Sequence, residues 1–173
     1  MSGIISDNVG RASGLVKAAG GGGNLGQVTQ LIYQTQTAQT TADHDIMTCA
    51  SITPASSSSR FLIKINLQLG WGSNVNGGMI LYRDSTALSV TAASPHSGAT
   101  DSFWSSDESP VGSAPGIAMG AFYYEFIDSP STASGIVYKL SAKSISTMWY
   151  NRCKDNTTSC VGISTMTLME LLS

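Results

Sequence analysis

The histidines of this chain are His44 and His96, so imidazole acid–base or metal chemistry has two positions to work from. The densest grouping of reactive types is Asp43-His44-Asp45. A catalytic relay depends on side chains that converge, whereas neighbours on an extended chain point to opposite sides, so the trio is expected to be a solvated turn between strands. Among the other carboxylates, Asp107 and Glu108 are adjacent and Asp101 stands alone. Glycoside hydrolysis needs two carboxyl groups facing each other across roughly 5 to 10 Å, and nothing in the spacing marks such a pair. The run Gly21-Gly22-Gly23-Asn24-Leu25-Gly26 fits G-x-G-x-x-G. That fingerprint works between a strand and a helix, and here a glycine-rich stretch leads into a strand. No C-x-x-C pair and no D-x-D-x-D-G loop occurs, and Asn156-Thr157-Thr158 is a sequon that reads as a turn. No enzymatic activity, cofactor or metal site is expected.

Aromatic side chains are the other chemical resource. Trp71 is expected to plug the core at a strand end and Trp149 to lie inside a sheet, whereas Phe103 and Trp104 sit among Ser and Asp. Such a pair suits a contact surface, and stacking on a host cell-surface glycan is the chemistry it offers.

These residues must be carried by a chain of 173 residues with 42 % hydrophobic and 12 % charged content, enough for one buried core. A formal charge of -2 gives no electrostatic attraction to phosphate backbones, which argues against nucleic-acid binding. No apolar window is long enough to span a bilayer, and the opening Met1-Ser2-Gly3-Ile4-Ile5-Ser6-Asp7 lacks the basic start and apolar stretch of a secretory signal. Membrane insertion is therefore not expected. Cys49, Cys153 and Cys160 form an odd, sparse set that reads as unpaired thiols, with a Cys153–Cys160 bridge across a hairpin tip as the alternative.

Residues 1–26 form an anchoring arm in this reading, because Gly10-Arg11-Ala12-Ser13-Gly14 and Gly20-Gly21-Gly22-Gly23 leave too little apolar matter for a core. Ile4, Ile5, Leu15 and Val16 are its candidate docking residues, with Arg11 between the two pairs. Residues 27–173 form the second unit. From residue 27 the apolar period becomes two, the spacing of a half-buried strand. In residues 60–70, Phe61, Ile63, Ile65, Leu67 and Leu69 alternate with Lys64, Asn66 and Gln68. Strands are also predicted at 28–36, 46–53, 79–82, 117–127, 136–142, 146–150 and 163–171, about eight in all. Ser, Asn, Gly and Pro clusters separate them, and residues 92–115 read as a long surface loop. No segment carries a helical period. The expected fold is all-β, an antiparallel sandwich of the jelly-roll kind with an extended N-terminal arm, with an immunoglobulin-like Greek key left open.

Two segments are apolar on both alternating sets: residues 117–127, with Phe122, Tyr124 and Phe126, and residues 166–172, with Leu168 and Leu171. Strands apolar on both faces are normally covered on both faces. A subunit interface is the simplest cover, and burial of about 1,000 Å² would make it stable. Cover by the loop at 92–115 is the other option.

Ser2-Gly3-Ile4-Ile5 and Asn8-Val9-Gly10-Arg11-Ala12-Ser13-Gly14-Leu15-Val16 resemble the N-terminal signature of virion structural proteins from marine phages of cyanobacteria and pelagic bacteria. Ser51-Ile52-Thr53-Pro54, Leu81-Tyr82-Arg83-Asp84-Ser85-Thr86, Phe126-Ile127-Asp128-Ser129-Pro130 and Ser164-Thr165-Met166-Thr167-Leu168-Met169-Glu170 are similar to later segments of that group. The resemblance implies a tail-fibre-like protein assembled in the host cytoplasm and exposed on the particle. Its arm would dock on a tail, baseplate or major capsid protein, and its jelly-roll-like domain would form a homotrimer. A capsid decoration (cement) protein is the alternative, and a sugar-binding lectin-like module a minor one. The resemblance carries no catalytic residue.

Overall fold

The computed structural model describes residues 25–39, 43–70, 77–88, 102, 104–106, 119–144, 147–153 and 160–172. Every regular element among them is a strand: β1 (Leu25–Tyr33), β2 (Thr37–Gln39), β3 (His44–Thr48), β4 (Arg60–Gly70), β5 (Gly77–Arg83), β6 (Thr86–Ala87), β7 (Trp104–Ser106), β8 (Met119–Asp128), β9 (Tyr138–Ser144), β10 (Met148–Tyr150) and β11 (Ser164–Leu171). β4 shows why. Phe61, Ile63, Ile65, Leu67 and Leu69 are buried while Arg60 and Lys64 are exposed, so the period-two pattern becomes an inner and an outer face.

All ladders are antiparallel. One sheet runs from β8 to β4, then to β11 and β10 end to end, then to β1 and β2 end to end. β10 meets β4 at Tyr150↔Leu69 and β11 resumes at Thr165↔Asn66, so the two are one strand interrupted by an excursion over residues 151–163. β1 and β2 are likewise one strand, because Tyr33 pairs with Ser164 and Thr37 with Tyr150. The second sheet runs β3, β9, β5, with β6 and β7 sharing the far edge of β5. Counting each interrupted or shared position once gives eight in chain order. The first sheet then reads first, eighth, third, sixth, and the second reads second, seventh, fourth, fifth. That connectivity is a jelly roll, and it removes the immunoglobulin alternative.

The expected number of strands is found, but by a different division. β10 and β11 occupy one position rather than two, and the fifth position, made by β6 and β7, was not foreseen. Runs of two and three residues are too short to show any period. Trp104 therefore lies on a strand opposite Met79 and not in a loop.

The excursion leaves the sheet at Asn151 and rejoins it at Ser164; Asn151 has a φ of 58°, a conformation that asparagine tolerates better than most side chains. Its Nδ2 donates to the carbonyls of Tyr33 and Thr35 at 2.9 and 3.1 Å, and its Oδ1 accepts from the Ser164 hydroxyl at 2.6 Å. Ser164 Oγ in turn accepts from the Gln68 amide at 2.9 Å. Both side chains are fully buried, and the interruption would otherwise strand these polar groups. At Gly70 a Cβ would strike the Arg152 carbonyl oxygen, so only glycine lets the excursion lie this close to β4. Cys153 and Cys160 are joined by a disulfide with Cα atoms 5.5 Å apart, which corrects the expectation of unpaired thiols. The interrupted strand returns both ends of the excursion to one place, which spacing alone does not reveal. Cys49 stays free and buried, and burial pushes its thiol pKa up.

The core fills the space between the sheets, with Phe61, Leu67, Leu81, Tyr138 and Leu140 all at 0 % exposure. Each such side chain contributes roughly 1.5–3 kcal/mol through burial. Two polar ties cross this layer at opposite ends. Asp128 of β8 accepts from Arg83 of β5 at 2.7 and 2.8 Å and from the Tyr138 hydroxyl of β9 at 2.8 Å. At the other end His44 Nε2 of β3 and the Tyr150 hydroxyl of β10 lie 2.7 Å apart. Burial raises the pKa of both phenols, with the Asp128 carboxylate adding to the effect at Tyr138 and the Tyr33 phenol at Tyr150.

Candidate interaction face

Residues directly opposite one another across a ladder share a face, so the registers define rows on the outside of the first sheet. One row is Ile127, Leu62, Met169 and Val28, apolar across four strands. The next is Glu125, Lys64, Thr167 and Gln30, and the third is Tyr123, Asn66, Thr165 and Ile32. Exposure of the apolar members is high: Tyr123 69 %, Val28 56 %, Ile32 53 % and Ile127 52 %. Leu25 and Leu171 extend the patch beyond the first row, and Ile163 flanks it beyond the third. The middle row closes on itself, with Lys64 Nζ 2.9 Å from Glu125 Oε1 and Gln30 Nε2 donating to Thr167 Oγ1 at 3.0 Å. A shallow depression of about 300 Å³ opens between Tyr123, Glu125, Lys64, Asn66 and Thr165. Adding Val161 of the excursion, these are all the large hydrophobic side chains exposed among the described residues. The polar middle row divides this apolar area in two, and exposed apolar area of this kind is a candidate contact surface.

The outside of the second sheet is different. Asp45 Oδ1 accepts from the Ser141 hydroxyl at 2.5 Å and Asp45 Oδ2 from Lys139 at 3.3 Å. Lys143 lies 3.7 Å from Asp43, and the Lys139 ammonium sits 5.3 Å from the centre of the Tyr82 ring. The Ser141 hydroxyl, opposed by burial and assisted by Lys139, holds the Asp45 carboxyl below its ordinary value. A hollow of about 270 Å³ lies over these groups. Asp43 and Asp45 turn to lysines while His44 Nε2 is engaged by Tyr150, so the trio does not converge on a reacting atom.

At the edge of the apolar face sits Glu170, a carboxylate at 1 % exposure in a set of inward residues that otherwise reads Ser164, Met166 and Leu168. It accepts from the Ala55 amide at 2.6 Å and from the Gln27 amide at 3.4 Å. Gln27 Nε2 donates to the Thr53 carbonyl at 2.6 Å. Burial raises the Glu170 pKa, but the hydrogen bonds from Ala55, Ser59 and Gln27 outweigh it and leave the group below its ordinary value. Glu170 thereby fastens the start of β1 and the loop before β4 to the last strand. Sequence reading passed over it, although an acid at an inward position of an apolar set was the available signal.

The sequence-derived interface residues separate. Phe122, Tyr124 and Phe126 are on the inner face of β8, opposite Leu67, Ile65 and Ile63, partly buried against the core. Leu168 is a core residue at 1 % exposure and touches no outer surface. Leu171 lies on the outer face beside Leu25. β8 does carry exposed apolar groups, Tyr123 and Ile127, but on the other alternating set, and the outer set of β11 offers the half-buried Met169 and Leu171. Residue types alone do not say which set of a doubly apolar strand faces the partner sheet. Ile4, Ile5, Arg11, Leu15, Val16 and Phe103 lie outside the described residues, as do His96, Asp101, Asp107 and Glu108.

No protein-family model matches the chain, and no curated protein matches it in sequence. Among solved structures it is similar to the VP2 protein of infectious bursal disease virus in derived T=1 particles, with a TM-score of 0.45, 9 % identity and 84 % of this chain covered. It is also similar to VP2 in a subviral particle of that virus (0.44, 9 %, 85 %) and to the structure of the Gx strain (0.42, 10 %, 86 %). This chain spans 38 %, 37 % and 39 % of those chains. The strand order described above defines the fold independently of these neighbours.

Proposed function

We propose that this chain is a non-enzymatic structural protein of a virion, a jelly roll whose work is to be held against other proteins. The observation that carries the reading is the outer face of the first sheet, where one row of apolar side chains, Ile127, Leu62, Met169 and Val28, runs in register across β8, β4, β11 and β1, and Tyr123 and Ile32 add exposed apolar area at the two ends of another. A turnover site calls for converging reactive groups, whereas this molecule gathers apolar area. The resemblance of its sequence to phage structural proteins gives that area a context. In the finer form of the proposal the protein is a tail-fibre-like surface appendage of a bacteriophage, trimeric, anchored through residues 1–26 and touching a host glycan through Phe103 and Trp104.

A capsid decoration role is the second reading. What favours it is that the apolar area is a broad sheet face and not a loop tip, a shape suited to lateral contacts on a shell. Quantitative mass spectrometry of purified particles tests both. Tens of copies per particle are expected of an appendage and hundreds of a decoration protein, and absence from washed particles overturns the virion reading. Removing residues 1–24 should leave the sandwich folded and abolish attachment. Attachment that survives the truncation refutes the anchoring role.

A further inference from the structure

We infer that two copies of this chain pair through the outer face of the β8–β4–β11–β1 sheet, about a two-fold axis that runs parallel to the strands between β4 and β11. The inference deepens the reading that this face meets protein, and rests on it. Its basis is the order of residues within each row. Rotation about that axis keeps every row on itself and exchanges β8 with β1 and β4 with β11. Ile127 then meets Val28 of the second copy, Leu62 meets Met169, and Tyr123 meets Ile32. In the polar row Glu125 meets Gln30 and Lys64 meets Thr167, and in the third Asn66 meets Thr165. Apolar groups therefore face apolar groups, and each charged or amide side chain faces a neutral hydrogen-bonding partner, as an isologous contact requires. The incoming Ile32 descends on the depression beside Tyr123.

Other arrangements fit less well. A two-fold axis lying across the strands would set Glu125 on Glu125 and Lys64 on Lys64, opposing like charges. A wholly apolar partner would bury the Lys64–Glu125 pair without supplying any hydrogen bond beyond the one they make to each other. The arm of this chain offers its apolar residues as adjacent pairs, Ile4-Ile5 and Leu15-Val16. Adjacent side chains on an extended segment point to opposite sides, so half of them would turn away from the face. The face is about 20 Å wide and about 30 Å long by strand spacing and rise, near the footprint that each partner gives to a standard interface of about 800 Å² per side. A contact through this face leaves the strand ends free, so paired trimers are as compatible with it as simple dimers.

Sedimentation of the full chain at tens of micromolar tests the inference. The unaltered protein should form an even-numbered assembly. Ile127→Lys and Val28→Glu, both at exposed positions, should each halve its mass without changing circular dichroism or melting. Mixing the two variants in equal amounts should restore the full mass, because the new ammonium then faces the new carboxylate while the opposite end keeps its Ile127–Val28 contact. Misfolded chains cannot give that recovery. A monomeric or odd-numbered unaltered protein, variants of unchanged mass, or a mixture that stays at half mass each overturn the pairing. A chain that is monomeric yet abundant on purified particles would overturn the pairing and leave the virion reading standing.

Discussion

The two outer faces of the sandwich are built on equally apolar inner faces and share one pleat, yet they turn opposite chemistry to the outside. The face of β3, β9 and β5 carries Asp43, Asp45, Lys139, Ser141 and Lys143, and these satisfy one another. The face of β8, β4, β11 and β1 carries Val28, Ile32, Tyr123 and Ile127, and only its middle row is internally satisfied. A polar face whose groups are already paired has little to gain from a partner, whereas exposed apolar rows gain by being covered. Fold alone makes the two sheets alike, and the outward alternating set gives each its own surface chemistry.

The contrast holds only while the two sheets form one body, so the largest effect is expected where they are tied. Asp128→Asn removes the charge that pairs with Arg83 and accepts from Tyr138, and should cost about 3 kcal/mol in urea unfolding. A loss below about 1 kcal/mol would mean that the sheets are held by apolar packing alone. Glu170→Gln should cost about 2 kcal/mol at neutral pH, since a buried charged acceptor of two amides is lost. The folded Glu170 carboxyl lies below its ordinary value, so this contribution is present above about pH 4.3 and fades as pH falls through the folded value. Variant and parent should converge in acid, and a gap that persists there would refute the electrostatic account.

Asp45→Asn on the polar face should cost at most about 1 kcal/mol, because the side chain is 47 % exposed and its interactions are screened. The sign of its pH dependence matches that of Glu170, because the Asp45 carboxyl is also lowered. The test of the contrast is that this variant leaves the assembly mass unchanged. Lys64→Met on the apolar face should shift stability by less than about 0.5 kcal/mol, because the pair with Glu125 is exposed. It should also increase dissociation in a dilution series, because the contact would then cover Glu125 without its cation. Unchanged or tighter association would show that the middle row lies outside the contact.

Much of the architecture was legible in the sequence because a strand with one dry side writes its period into the residues, as β4 does over eleven positions. β6 and β7 were not legible, being shorter than the period needs. The continuity of β10 with β11 was hidden by the excursion, which looks like a turn until Asn151 and Ser164 are seen bonded to each other. The candidate face was half legible. Doubly apolar β8 and β11 suggest a subunit interface, but of the residues expected there Phe122, Tyr124 and Phe126 pack against the core. Val28 and Ile32 could face either way in isolation, and it is the ladder with β11 that sets them on the outer face beside Met169 and Thr165.

The clasp at Glu170 decides how force would enter the molecule. Tension arriving through the backbone ahead of Leu25 meets the pairing of Leu25 with Leu171 and then Gln27, which is joined to Glu170 on the same strand. A pull drawn along β1 would load its ladder with β11 lengthwise, so its rungs must yield together and not one after another. β1 would come away only by sliding whole past its neighbour, which makes β11 its mooring.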